Sequence, residues 1–239
     1  MAEPAAEGDV LVDVDGISVS AVVTSPDGGA PWATVVVAPG AGAGMDHPFL
    51  VGFTRGLARE GLASMRFNFV YREQGRRAPD RPPKAIAAWR AAREAAGRWG
   101  GGPVWAAGKS FGGRMASMAA AEGMAVAGLV YLGYPLHPPG RPDKLRAAHL
   151  DGIRVPQVFL SGSRDPFVQP TAQLSEIVGR LPDARLLWVE GARHSFEVAR
   201  DRRSVLEVGA SLAPAVADFI AERSGRTAER RDRDVPPSR

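Results

Sequence analysis

Ser110 lies at the centre of Gly108-Lys109-Ser110-Phe111-Gly112, and the flanking residues give that spacing chemical meaning. An apolar run, Pro103-Val104-Trp105-Ala106-Ala107, leads in, and a helix-forming stretch over 114–121 leads out. Strand, Gly-x-Ser-x-Gly, helix is the context in which a serine becomes a nucleophile rather than a surface hydroxyl. So tight a turn leaves no space for a Cβ two residues to either side, which accounts for glycine at 108 and 112. Ser110 Oγ then projects at the strand end, with the first N–H groups of the next helix directed at developing negative charge.

In a chain with 28 glycines the pentapeptide is weak evidence by itself, and the residues downstream strengthen it. A nucleophile on such an elbow is followed in the chain first by an acid and then by a base, each in a loop after a strand. Asp165 stands in Gly162-Ser163-Arg164-Asp165-Pro166-Phe167, after the apolar run Val158-Phe159-Leu160, although a plain turn or N-cap aspartate also fits that context. His194 follows one more strand, Leu186-Leu187-Trp188-Val189, whereas His47, His137 and His149 precede Asp165 and break the order. His194 is then the general base for Ser110, and Asp165 orients the imidazole. The oxyanion donors expected are the backbone N–H of Phe111 and one N–H from the loop after Val37, with Ala41 favoured and Gly40 open. That loop, Pro39-Gly40-Ala41-Gly42-Ala43-Gly44, has neither the Lys-Ser/Thr ending of a P-loop nor Gly-x-Gly-x-x-Gly spacing.

The surrounding pattern supplies the elements that must hold these residues. A hairpin is expected around Asp15-Gly16, and Thr34-Val35-Val36-Val37-Ala38 reads as a strand buried on both faces. Helices and strands then alternate: helix 48–60, strand 62–69, an Arg/Pro-rich loop 70–83, helix 84–98, the elbow strand and its helix, and strand 126–132. A short helix near 142–149, strand 156–161, helix 168–179, strand 185–189 and helix 204–222 complete the pattern. The fold class is α/β: a mostly parallel central sheet with helices on both faces. With 239 residues, one domain over 1–222 is expected, followed by a disordered Arg-rich tail over 223–239. Six arginines against three acids in that tail carry most of the net charge of +4, so the body is nearly neutral and no nucleic-acid partner is expected. There are no cysteines, hence no disulfide or thiol chemistry, and no metal or cofactor is called for. Residues 1–9 lack the apolar core of a secretory signal and no run is long enough to span a bilayer, so a cytoplasmic protein without a membrane partner is expected.

Five segments in order resemble one branch of the α/β-hydrolases. They are 38–49, Arg66-Phe67-Asn68-Phe69-Val70-Tyr71 with Gly75-Arg76-Arg77-Ala78-Pro79, 108–117, Gly133-Tyr134-Pro135-Leu136-His137-Pro138-Pro139-Gly140, and 162–167. The branch comprises bacterial hydrolase-like proteins related to the third subunit of the nonspecific-lethal acetyltransferase complex and its testis-expressed paralogue, near the dienelactone hydrolases. The resemblance spans roughly residues 33–222 and implies the α/β-hydrolase fold with Ser110, Asp165 and His194 in the roles given above. Pro39 stands where many relatives carry histidine, so any role of that ring is missing here.

The stretch from Leu132 to Pro156 is too short for a large cap, which implies an open site and a small-molecule substrate. A small or exposed carboxylic ester, thioester or lactone fits best, and a non-catalytic scaffold is the alternative. All three triad positions carry competent residues, which favours the enzyme. The 70–83 loop leaves its strand at the sheet edge where Ser110 emerges, which predicts Tyr71, Arg76 and Arg77 on the rim, with an arginine fork for an anionic substrate group. Pairing of an arginine with Asp80 or Glu73 is the structural alternative.

Overall fold

A computed structural model describes residues 6–26, 29–99 and 101–226. The chain opens with β1 (Glu7–Val14) and β2 (Ile17–Thr24), an antiparallel pair. Asp15 and Gly16 make the turn at φ of 51° and 80°, the left-handed pair that matches strand twist in a two-residue hairpin. Then come β3 (Thr34–Ala38), α1 (Pro48–Arg59), β4 (Ala63–Phe67), a short α2 (Val70–Glu73) and α3 (Pro82–Trp99). The elbow strand β5 (Val104–Lys109) and its helix α4 (Phe111–Ala121) follow. The rest comprises β6 (Leu129–Leu132), β7 (Gln157–Gly162), α5 (Thr171–Arg180), β8 (Ala184–Val189), α6 (Val205–Ser211) and α7 (Ala213–Arg223).

The eight strands form one sheet in the order β1-β2-β4-β3-β5-β6-β7-β8, antiparallel up to the β2–β4 pair and parallel from β4 to β8. The period-2 alternation of strand side chains divides the core into two layers. Val36, Ala38, Met65 and Phe67 pack with α3, α4 and α5 on one face, and Val35, Val37, Trp105 and Ala107 with α1, α6 and α7 on the other. This is the α/β sheet with helices on both faces that the sequence pattern implies. Between β6 and β7 there is no α-helix, so no helical cap is inserted at that connection.

Several boundaries differ from expectation for local reasons. The helix expected near 142–149 is absent: the Arg146 N–H is bonded to Leu136 O and the Arg146 carbonyl to Tyr134 Oη, and only a 3-10 turn at Leu150–Gly152 follows. The single helix expected over 204–222 is two, divided at Leu212, where Pro214 in the first turn of α7 has no N–H to continue the ladder. A capping box of Ser204 and Glu207 starts α6. The loop expected over 70–83 begins with α2, which buries Val70 and Tyr71. Arg223, assigned to the tail from composition, instead closes α7 and pairs with Asp183 at 2.8 Å. From residue 227 onward the expected tail lies outside the described residues.

Helices α1 and α6 approach so closely that backbone touches backbone. A Cβ on Gly52 would lie 1.9 Å from Leu206 O, and one on Gly209 2.0 Å from Phe49 O. Neither contact can be relieved by a side-chain rotation. Gly209→Ala is therefore expected to destabilise the fold by about 1–3 kcal/mol through overpacking, despite alanine's better helix propensity. A urea midpoint unchanged or raised in that variant would show that the helix pair can move apart.

Candidate active site

β5 meets α4 at a strained elbow. Ser110 adopts φ 49° and ψ −111°, a conformation that costs a non-glycine residue about 1–3 kcal/mol. Backbone contacts enforce it. A Cβ on Gly108 would lie 2.1 Å from Gly113 N, and one on Gly112 would lie 2.6 Å from Pro39 O and 2.7 Å from Ala38 O. The Ser110 N–H donates to Leu132 O at 3.1 Å, which ties the elbow to β6, and Trp89 Nε1 donates to Gly112 O at 3.0 Å from α3.

Asp165 follows β7 and His194 follows β8, and both reach back to the elbow. His194 Nε2 lies 2.9 Å from Ser110 Oγ, and His194 Nδ1 lies 2.7 Å from Asp165 Oδ2. In the tautomer that donates from Nδ1 to Asp165, the Nε2 lone pair is free to accept from the serine hydroxyl. Asp165 is fully buried, and its other oxygen accepts the Phe167 N–H at 2.8 Å as the cap of a 3-10 turn, Pro166–Val168. The turn-capping and histidine-orienting readings of this residue therefore both hold geometrically. The Phe167 ring lies 4.2 Å from the imidazole centroid and covers one face of it.

The glycine-rich loop after β3 faces the same serine. Three of its amides are engaged: Gly42 N–H donates to Tyr71 Oη at 3.0 Å, Ala43 N–H to Gly40 O at 3.2 Å, and Met45 N–H to Asn68 Oδ1 at 2.8 Å. Among the described residues, the Phe111, Ala41 and Gly40 amides have no protein acceptor. Those are the donors expected from the sequence; Ala41 and Gly40 line a cavity of about 360 Å3 beside Ser110 and His194, and Phe111 follows the lining Ser110 at the start of α4. Phe49 and Leu50 from α1 and Val205 from α6 make part of its wall apolar, and Lys109 and Glu197 also line it. These contributions were not legible beforehand, because they depend on how α1 and α6 pack over the sheet edge.

Tyr71, Arg76 and Arg77 do not line this cavity, which corrects their expected place on its rim. Tyr71 is fully buried, and burial pushes its phenol up, so it serves as a neutral strut under the Gly42–Ala43 turn. Arg76 forms an ion pair with the buried Asp80, whose other oxygen accepts the Tyr71 N–H at 2.9 Å. Arg77 is exposed. The arginine–Asp80 alternative is the one formed. Arg76→Ala is accordingly expected to lower stability by about 1–3 kcal/mol, by leaving a buried carboxylate short of a partner, and to change turnover of neutral and anionic esters equally. A selective loss on the anionic ester alone would return Arg76 to substrate binding.

Among the described residues no group of three or more metal-ligating side chains is gathered, and no helix is long and apolar enough to cross a membrane. Comparison with solved structures identifies a shared fold. An α/β serine hydrolase homologue from Coxiella burnetii is 22% identical, with a TM-score of 0.70 over 87% of this chain and 97% of its own. A dienelactone hydrolase from Anabaena variabilis is 21% identical, with a TM-score of 0.70 over 92% and 99%. A serine hydrolase from Xanthomonas campestris, described as lacking a lid, is 19% identical, with a TM-score of 0.69 over 93% and 96%. The model of the family described as alpha/beta hydrolase domain matches residues 31–221, a span that includes the elbow, the glycine-rich loop and both partner loops, and the chain belongs to that family.

Proposed function

We propose that this protein is a serine hydrolase that cleaves a small or exposed carboxylic ester, thioester or lactone through an acyl-enzyme. The observation that carries the reading is the continuous hydrogen-bonded line from Ser110 Oγ through His194 to the buried Asp165, set on a strained elbow. Ser110 Oγ attacks the carbonyl carbon while His194 Nε2 takes its proton. Negative charge moves to the carbonyl oxygen, where the Phe111 N–H and that of Ala41 or Gly40 receive it. One such donor is typically worth about 3–4 kcal/mol in the transition state. The tetrahedral intermediate collapses, His194 gives its proton to the leaving oxygen or sulfur, and the acyl group stays on Ser110. Water then repeats the sequence with His194 as base and releases the acid.

The site's shape supports the substrate class. A cavity of about 360 Å3 with an apolar wall suits a short acyl group, and without a helical cap between β6 and β7 the leaving group is open to solvent. Dienelactone hydrolase and serine hydrolase names among the structural relatives agree with acyl chemistry on this fold. The five sequence segments support the finer placement near the nonspecific-lethal subunit branch.

A fluorophosphonate probe is expected to give one adduct, on Ser110, absent in Ser110→Ala and slowed by about 10³-fold or more in His194→Ala. Short p-nitrophenyl esters, thioesters and lactones are expected to be hydrolysed with the same residue dependence. A folded protein that takes no label and turns over none of these would instead support a scaffold role.

A further inference from the structure

Lys109 is the residue immediately before Ser110 in the chain. It lines the cavity, and its ammonium, partly buried and largely desolvated, reaches the His194 loop. Nζ donates to the main-chain oxygen of His194 at 2.7 Å and lies 5.6 Å from the centroid of the buried Phe196 ring. Gly133 provides the space: a Cβ there would lie 3.3 Å from Nζ and 3.5 Å from His194 Nδ1. Among the described residues no carboxylate is paired with this ammonium, and Asp165 and Glu197 act on it only through space.

A largely desolvated cation with one neutral acceptor is a costly way to fill a gap. Methionine has nearly the same length and would fill it without desolvating a charge. What the ammonium adds is direction, because a charge-assisted bond to a carbonyl is shorter and stronger than a neutral one. The bond links the neighbour of one reacting group to the backbone of the other. It also meets the β8–α6 loop at His194 itself: main-chain groups of this loop tie to the β7 loop earlier, where Gly191 N–H donates to Ser163 Oγ and Arg164 N–H to Ala192 O, while beyond them the loop carries the isolated bridge Ala192–Val198 and places Phe196 at a φ of 64°.

We propose that Lys109 is a positioning residue, whose ammonium ties the His194 backbone to the nucleophile elbow and so fixes the approach of His194 Nε2 to Ser110 Oγ. Its effect on rate rests on the serine-hydrolase reading, but the tether itself belongs to the folded chain and is measurable without turnover. Lys109 does not hold the reacting atoms; it holds the residue that does.

The groups facing the ammonium are the carboxylates of Asp165 and Glu197, which favour its charge, and the His194 imidazole. Burial outweighs them and brings the lysine down to about 8. The ammonium is therefore intact below pH ~8, and the tether weakens as pH rises through that value.

The test uses the full chain and Lys109→Met. Amide hydrogen exchange over residues 191–199 is expected to quicken by about tenfold in the variant, with the melting temperature within about 3 °C of wild type. Fluorophosphonate labelling of Ser110, and kcat on a short ester, are expected to fall by about 10- to 100-fold, with KM within about twofold. Wild-type kcat should decline above pH ~8, and that limb should be missing from Lys109→Met. Should the variant not fold, exchange over the same amides in the wild type, corrected for intrinsic base catalysis, must still quicken as pH rises through ~8. Unchanged exchange in the variant, or an alkaline limb that persists in it, overturns the tether. A loosened loop in a chain whose Ser110 never labels keeps the tether and sinks the hydrolase reading instead.

Discussion

Backbone lies against backbone where β5 turns into α4, with Gly108 against Gly113 and Gly112 against the carbonyls of Ala38 and Pro39. Three chain segments thus meet at distances that no Cβ would permit. The serine between them is forced to a φ of 49°, and the cost is offset by the sheet and helix on either side, which cannot relax independently. From that constraint come the exposed Oγ, the Phe111 amide at the start of α4, and the position of the β3 loop beside it. The later strands need only deliver an acid and a base to the same edge. Parallel pairing of β5, β6, β7 and β8 does so, because their carboxyl ends share one edge.

Around that edge, buried polar groups hold the loops in place more than they contact solvent. Asp80 binds the Tyr71 N–H and Arg76, Tyr71 holds Gly42, and Asn68 holds Met45. The chain of contacts runs from an exposed arginine to the oxyanion loop without a gap. With the Gly42 and Met45 amides held from beneath and that of Ala43 turned onto Gly40 O, the amides of Phe111, Ala41 and Gly40, next to Ser110, are without a protein acceptor among the described residues. Close packing of α1 against α6 adds the apolar wall, so the cavity's shape is coupled to a helix contact on the opposite side of its lining residues.

The parts legible in the sequence were those set by local constraints. Glycine at 108 and 112, the Asp15-Gly16 turn and the uninterrupted Val35-Val36-Val37 run each have few compatible conformations. Chain order then selected His194 over His47, His137 and His149. Long-range geometry was not legible. Whether Arg76 faced substrate or Asp80 depended on α2 and on the burial of Asp80, neither of which the Arg/Pro-rich composition of 70–83 displays. The motif assigns Lys109 no role, and only contact with a residue 85 positions on gives its ammonium a partner. The failed helix near 142–149 has the same cause, because Tyr134 and Leu136 take up the backbone groups of Arg146.

In the proposed reaction one hydroxyl and two facing amide sources form a single acyl-transfer site. A crystal structure of the chain after reaction with a small phosphonate tests it most directly. Phosphorus is expected on Ser110 Oγ, with its anionic oxygen about 2.7–3.1 Å from the Phe111 N and from the N of Ala41 or Gly40. An adduct on another residue, or a phosphonyl oxygen turned to solvent with those amides unoccupied, would contradict it.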